Sequence, residues 1–273
     1  FATSGWLNRA LAALPPGETI RQRGGLGVGI VTPLVLRGQA PVVGWAPQVV
    51  QPAGEDLAQR LLDLYRHNDP ALGDALSHGL DIDRIAGRTM NGEKGQRGGM
   101  DSPAGMLQAA RGAAKLLAAD DGPRIAALSF DGWDTHANEG GPRGRLAQLL
   151  SGLDSAFAEF EKGLGDKWRE TFVIAITEFG RTARINGTTG TDHGTATVAF
   201  LTGGAVVGGR VIADWPGLKS EQLFQSRDLA PTTDLRAVLK GALADHLGLG
   251  VNALGTLVFP DSMSVRPMKG LVA

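Results

Sequence analysis

Apolar residues recur at helical spacing in several parts of the chain. Leu57, Leu61 and Leu64 form one such stripe, and this period predicts an amphipathic helix. Asp69 and Pro70 follow, where a proline ends one helix and starts the next. The same reasoning predicts further helices over residues 6–14, 70–86, 103–117, 143–162 and 233–247.

Short apolar runs predict strands between these helices. The run TFVIAIT at 171–177 is the strongest, because it is short and rich in β-branched residues. Residues 124–130 and 197–202 predict two more strands, while 26–36 and 41–45 predict short strands or extended loop. Helices and strands alternate in the second half of the chain. This order predicts an α/β fold, a three-layer sandwich with a largely parallel sheet.

Glycine is unusually frequent, with 40 in 273 residues, or about twice its share in an average protein. The glycines follow no G-X-Y period, which excludes a collagen-like chain. Residues 87–101 are polar and glycine-rich, and this composition predicts a flexible loop. Because no other linker stands out, we expect residues 1–273 to form a single domain.

Net charge and cysteine content limit which classes of protein and which kinds of metal site the chain could form. The net charge is -1 and 42% of residues are hydrophobic, which excludes a disordered polyelectrolyte and gives no basic excess for nucleic acid. No apolar run approaches the roughly 20 residues of a membrane span. The chain has no cysteine, so a zinc or manganese site would need histidine nitrogens and carboxylate oxygens.

Such side chains follow the two best strands and precede the next one. In α/β sheets, ligands bind beyond the carboxyl ends of the strands, so we expect these side chains to converge on one edge of the sheet. They could hold a divalent metal ion (Zn, Mn or Ca), with nearby arginines holding an anionic group. The candidate metal ligands are Asp131, Asp134, His136, Glu178, Asp192 and His193, and the candidate anion-binding residues are Arg181 and Arg184.

A purely structural role is the competing interpretation of the same residues. Asp131 and Asp134 lie in a loop, where aspartate is a common turn residue. Glu178 could cap a strand end or pair with Arg181. The polar clusters would then only stabilise glycine-rich loops. Three other histidines, His67, His78 and His246, lie within helical patterns and are set aside as ligands.

Several motifs carry a family resemblance. The segments DGWDTHAN at 131–138, TEFGRT at 177–182, GTDHG at 190–194 and DLAPTTDLR at 228–236 resemble domain-of-unknown-function family 1501. The resemblance covers nearly the whole chain. By similarity, that family is placed in the alkaline phosphatase and sulfatase superfamily of two-metal hydrolases and mutases, which implies an alkaline-phosphatase-like core.

The resemblance also implies roles for individual residues. Asp131 and His136 match an aspartate–histidine pair on one metal, although Asp134 is a rival for the aspartate's place. His193 matches a later histidine that returns to the same metal. Glu178 matches the acidic ligand of a second metal.

The chain departs from the superfamily pattern in two places. Phe179 stands where the second metal would have a histidine. Relatives carry an upstream segment with an export signal, a first strand and the nucleophile, and this chain begins after it. We therefore expect the domain to lack its first strand or strands, and the N-terminal part of the same gene product to be a partner. The family's export signal implies a periplasmic or extracytoplasmic location.

The resemblance implies a metal-dependent hydrolase-like protein that acts on a phosphate or sulfate ester, either a small molecule or a polymer. The alternative is a non-catalytic exported binding or assembly protein that retains the fold. The departure at Phe179 favours this alternative.

Overall fold

The computed structural model describes residues 3–47, 55–89 and 100–273, and it shows a mixed α/β protein. The chain forms two compact units. One comprises Phe1–Phe130 with Ser155–Gly165, and the other comprises Asp131–Asp154 with Asp166–Ala273. The helix α6 (Arg145–Leu164) has residues in both units.

The first unit contains a three-stranded parallel sheet. The strands lie in the order β2-β1-β3, and Gly25 of the central strand is in register with Val42 and Ile125. All four residues of the central strand are buried. The elements of this unit before α6 are α1 (Trp6–Ala13), α2 (Thr19–Arg23), β1 (Gly25–Val28), a 3₁₀ turn (Leu34–Leu36), β2 (Val42–Trp45), α3 (Glu55–Asn68), α4 (Pro70–Thr89), α5 (Pro103–Ala118) and β3 (Ile125–Leu128).

Helix α5 shows how sequence produces packing in this unit. Its N-cap is Ser102, whose hydroxyl accepts from the Gly105 N–H at 3.1 Å, and Pro103 occupies the first turn. The buried face consists mainly of alanine and glycine, which allow close approach. At Gly112 the approach is closest, because a Cβ built there would lie 2.0 Å from Cη2 of the buried Trp45.

The second unit contains two small antiparallel pairs of strands, β4 with β7 and β5 with β6. A buried lysine, Lys240, supports its C-terminal part by donating to the backbone carbonyls of Ser262 and Val265. The elements are a 3₁₀ helix (Gly165–Glu170), β4 (Val173–Ala175), β5 (Gly180–Arg181), β6 (His193–Gly194), β7 (Phe200–Thr202), a 3₁₀ turn (Ser220–Gln222), α7 (Leu235–Leu247), α8 (Val251–Ala253) and a π-helical turn (Leu254–Val258).

The predicted helices are confirmed, including the break at Asp69–Pro70. The first residues of the loop predicted over 87–101 are helical, because α4 extends to Thr89. Residues 90–99 lie outside the described residues. None of the described helices combines the length and the apolar character needed to cross a bilayer.

The sheet differs from the prediction of a largely parallel arrangement. The strand predicted at 171–177 forms β4, which pairs antiparallel with β7. A parallel pair needs a crossover connection, usually a helix. The chain between β4 and β7 instead contains turns and the short β5–β6 pair. The structure therefore confirms a mixture of helices and strands. Among the described strands, only β2-β1-β3 form a parallel sheet.

The packing of Gly112 predicts a destabilising substitution. We expect Gly112→Ala to lower the free energy of unfolding by about 1–3 kcal/mol, because the methyl group must displace a rigid indole ring. Gly79 is the matched control, since a Cβ there would meet no atom of the described chain within 4 Å outside its own helix backbone and its chain neighbours. Gly79→Ala should be neutral or stabilising. Chemical denaturation of both variants would test this, and an equal effect of the two would contradict it.

Candidate metal centre

Two loops of the second unit lie side by side and carry most of the predicted site residues. These ligand loops comprise residues 131–139 and 186–194. An isolated antiparallel bridge pairs Ala137 with Thr189, and the Glu139 N–H donates to the Thr189 carbonyl at 3.1 Å. Backbone pairing therefore holds the two loops together before any side chain is considered.

Strands β5 and β6 extend this pairing and require glycine at close approaches. Arg181 lies opposite His193 in the register of the pair. A Cβ at Gly194 would lie 2.5 Å from the Arg181 carbonyl, and one at Gly190 would lie 2.3 Å from the His136 carbonyl. The glycines that flank Asp192 and His193 in the motif thus let the loops approach closely.

Three side chains meet at the junction of the loops. Asp134 Oδ1 lies 3.0 Å from Nε2 of His136 and 3.0 Å from Nε2 of His193, and the two nitrogens are 3.1 Å apart. Of the described histidines and carboxylates, these form the group close enough to share one metal ion. Their side chains are 43–66% exposed, so a solvent-borne ion or substrate can reach them. We call Asp134, His136 and His193 the triad.

Arg181 fixes the carboxylate of the triad. One terminal nitrogen donates to Asp134 Oδ1 at 2.8 Å and to the Trp133 carbonyl at 2.7 Å, and the other donates to the Thr191 carbonyl at 2.9 Å. The guanidinium thus connects both ligand loops. These contacts favour a positioning role, whereas the sequence suggested that Arg181 binds an anionic substrate.

Asp192 lies on the far side of the His136 ring. Its Oδ1 is 3.2 Å from His136 Nδ1 and accepts from Asn186 Nδ2 at 3.0 Å. Asn186 Nδ2 also donates to the His136 carbonyl at 2.9 Å. Asp192 therefore contacts Nδ1 of His136, whereas the other ring nitrogen, Nε2, faces Asp134 and His193.

Hydrogen bonds lower the pKa of both aspartates. The hydrogen bond with His193 lowers the pKa of Asp134 below its usual value, and the charges of His136 and Arg181 act in the same direction. The hydrogen bond from Asn186 lowers the pKa of Asp192, with His136 contributing next. At neutral pH both side chains are carboxylates, the form that binds a cation.

Two supporting residues escaped the sequence analysis. Glu139 Oε2 accepts from the hydroxyls of Thr135 and Thr191, which are both buried, at 3.0 and 2.6 Å. Asn186 Oδ1 accepts from the Gly190 N–H at 3.0 Å, so its side chain folds the second loop. The Asn186-Gly187 pair is a turn signal. For Glu139 the sequence offers no comparable sign.

The remaining predicted residues lie outside the triad. Asp131 and Glu178 are exposed, and neither belongs to the group that could share one ion with the triad. Arg184 is also exposed and donates to the Ser220 hydroxyl. Phe179, by contrast, packs on the site, with its ring centroid 4.3 Å from that of His193.

Comparison with known families bears directly on these loops. A family model described as protein of unknown function (DUF1501) matches residues 1–257, which include the whole of both ligand loops. The chain belongs to the DUF1501 family. The family resemblance seen in the motifs is thus confirmed. Neither the curated proteins nor the solved structures yielded a match to this DUF1501 chain.

The buried hydroxyls around Glu139 predict a stability effect. We expect Glu139→Ala to lower the free energy of unfolding by about 1–3 kcal/mol, because two buried hydroxyls lose their shared acceptor. Glu139→Gln retains a carbonyl oxygen as acceptor and should lose less. Thermal unfolding of both variants measures the difference. Equal losses in the two would show that the acceptor does not matter.

Proposed function

We propose that this DUF1501 protein binds a divalent metal ion through the triad. One observation carries the proposal: three atoms that bear electron pairs lie 3.0–3.1 Å from one another. An ionised carboxylate oxygen can only accept, and each Nε2 carries at most one proton. If only one of the two Nε2 atoms carries a proton, the electron pair of the other Nε2 faces an electron pair of Asp134 Oδ1. If both Nε2 atoms carry protons, the two N–H groups compete for the same Asp134 oxygen.

A cation bound by all three atoms removes this conflict. Ligand atoms about 2.1 Å from one ion, at angles of about 90–110°, lie roughly 3.0–3.4 Å from each other. The three separations in the triad fall at the lower end of this range. The donor set therefore fits one ion.

The donor types favour particular metals. Two imidazole nitrogens and one carboxylate oxygen suit Zn²⁺, Mn²⁺ or another first-row transition metal. Calcium instead takes six to eight oxygen ligands. We therefore place Zn or Mn ahead of Ca in this site.

We further propose that the site acts on a phosphate or sulfate ester within an alkaline-phosphatase-like core. The resemblance of the motifs to that superfamily supports this step, and the exposure of the triad allows substrate access. A bound divalent ion would polarise the ester oxygen and stabilise developing negative charge. An extracytoplasmic location belongs to the same proposal and rests on the same resemblance.

Residues of the chain supply orientation in this proposal. Arg181 holds the Asp134 carboxylate, and Asp192 contacts His136. The nearby hydroxyls are engaged: Thr135 donates to Glu139, and Thr182 donates to the Arg184 carbonyl. These contacts favour water, rather than either threonine, as the attacking group.

Metal binding gives the first test. Titration calorimetry of chelator-treated protein with Zn²⁺ and Mn²⁺ should show one site. Loss of a residue that hydrogen-bonds a metal ligand typically weakens metal binding by roughly 10–100-fold. Asp134→Ala and His193→Ala remove a ligand itself, so each should weaken binding by at least this much. His78→Ala, on an exposed part of α4, is the matched histidine control and should bind normally. Unchanged affinity in Asp134→Ala would overturn the proposed site.

Activity is tested separately. We expect aryl phosphate or aryl sulfate hydrolysis that requires added Zn²⁺ or Mn²⁺. His193→Ala should abolish this activity and His78→Ala should retain it. Release of aryl alcohol is the measurement, and metal-independent release would contradict the proposal.

Phe179 favours a second candidate function. Its ring packs on His193 at the sequence position where the resemblance places a histidine of a second metal. The site would then hold a single ion in a non-catalytic binding or assembly protein. Metal binding without turnover of either ester class would support this candidate over the hydrolase.

A further inference from the structure

Asp192 contacts His136, a proposed metal ligand, and does not face the place where the ion would bind. Its Oδ1 lies 3.2 Å from His136 Nδ1, whereas Nε2 of the same ring faces Asp134 and His193. The two nitrogens of an imidazole point away from each other. A carboxylate at Nδ1 therefore cannot share an ion with Nε2 without leaving its present partner.

Asp192 is itself held in place by Thr182 and Asn186. Its backbone N–H donates to the Thr182 hydroxyl at 3.1 Å, and its carbonyl accepts from the Thr182 N–H at 2.9 Å. The Asn186 amide nitrogen donates to its carboxylate at 3.0 Å. The orientation of this amide follows from its other end, because Asn186 Oδ1 accepts from the backbone N–H of Gly190 and Thr188.

We propose that Asp192 is a positioning residue that keeps the proton of His136 on Nδ1 and its electron pair on Nε2. The hydrogen bonds of the His136 ring are those of Nδ1 with Asp192 and of Nε2 with His193 Nε2. An ionised carboxylate accepts only, so the bond at Nδ1 places the proton there, and Nε2 can then accept from His193. The unprotonated Nε2 is then directed at Asp134 and His193. A carboxylate that accepts from one nitrogen of a metal-binding histidine fixes the tautomer and the orientation of the ring. Asp192 would therefore strengthen metal binding by His136, a step that rests on the proposed function.

This inference assigns Asp192 a different role from the direct ligand expected from the sequence. The chain of contacts runs from Asn186 through Asp192 to His136, and it exists in the protein before an ion binds. The ring is thus oriented in advance. A direct-ligand role would instead need Asp192 to abandon His136 on binding.

The tautomer is measured directly in metal-free protein. With histidine labelled by ¹⁵N, two-bond nitrogen–proton couplings distinguish Nδ1–H from Nε2–H, and His136→Gln identifies the signals of His136. Wild type and Asp192→Asn, which retains an acceptor oxygen, should show Nδ1–H. Asp192→Ala should show a mixture of tautomers. The exposed Asp154→Ala is the matched control and should resemble wild type.

Zinc titration of the same proteins supplies the second measurement. Asp192→Ala should bind about 10–100-fold more weakly, with much of the loss restored in Asp192→Asn. An Nε2–H tautomer in wild type, or the same tautomer in wild type and Asp192→Ala, would overturn the inference. If wild type fails to bind metal but loses its Nδ1–H tautomer in Asp192→Ala, the proposed metal function is wrong and the positioning role of Asp192 stands.

Discussion

One carboxylate oxygen, Asp134 Oδ1, is the point on which the candidate site depends. It accepts from Arg181 and faces the Nε2 atoms of two histidines, all at 2.8–3.0 Å. These contacts lower the pKa of Asp134 and keep it ionised. Because Arg181 also binds backbone carbonyls from both ligand loops, the charge at this oxygen and the pairing of the loops reinforce each other.

Much of the fold could be predicted from local signals. The helices follow from apolar spacing, and Ser102 and Pro103 mark the start of α5 where the structure has it. Strand pairing was harder, because it depends on distant partners. The run at 171–177 predicts a strand but does not identify the strand that pairs with it. No helix is predicted between this run and residues 197–202, and because a parallel pair usually needs a connecting helix, this gap was the one sequence signal for an antiparallel pair.

The triad's histidines could be found from sequence, but the geometry of the site could not. His136 and His193 stand out beside aspartates in glycine-rich motifs. The convergence of these motifs was expected from a shared sheet edge, whereas the loops meet through their own backbone pairing. Sequence spacing also left Asp131 and Asp134 as alternatives. Only the course of the backbone shows that Asp134 meets both histidines.

The sequence distance spanned by the triad has a thermodynamic consequence. The contacts of His193 with His136 and Asp134 bridge 57 and 59 residues in a chain without cysteine. An ion bound there would cross-link the chain much as a disulfide does, and a disulfide closing a loop of this size contributes about 4 kcal/mol in the chain-entropy description. An ion, however, dissociates when the chain unfolds, so its contribution varies with its free concentration. The second unit would then have a stability set in part by the metal content of its surroundings.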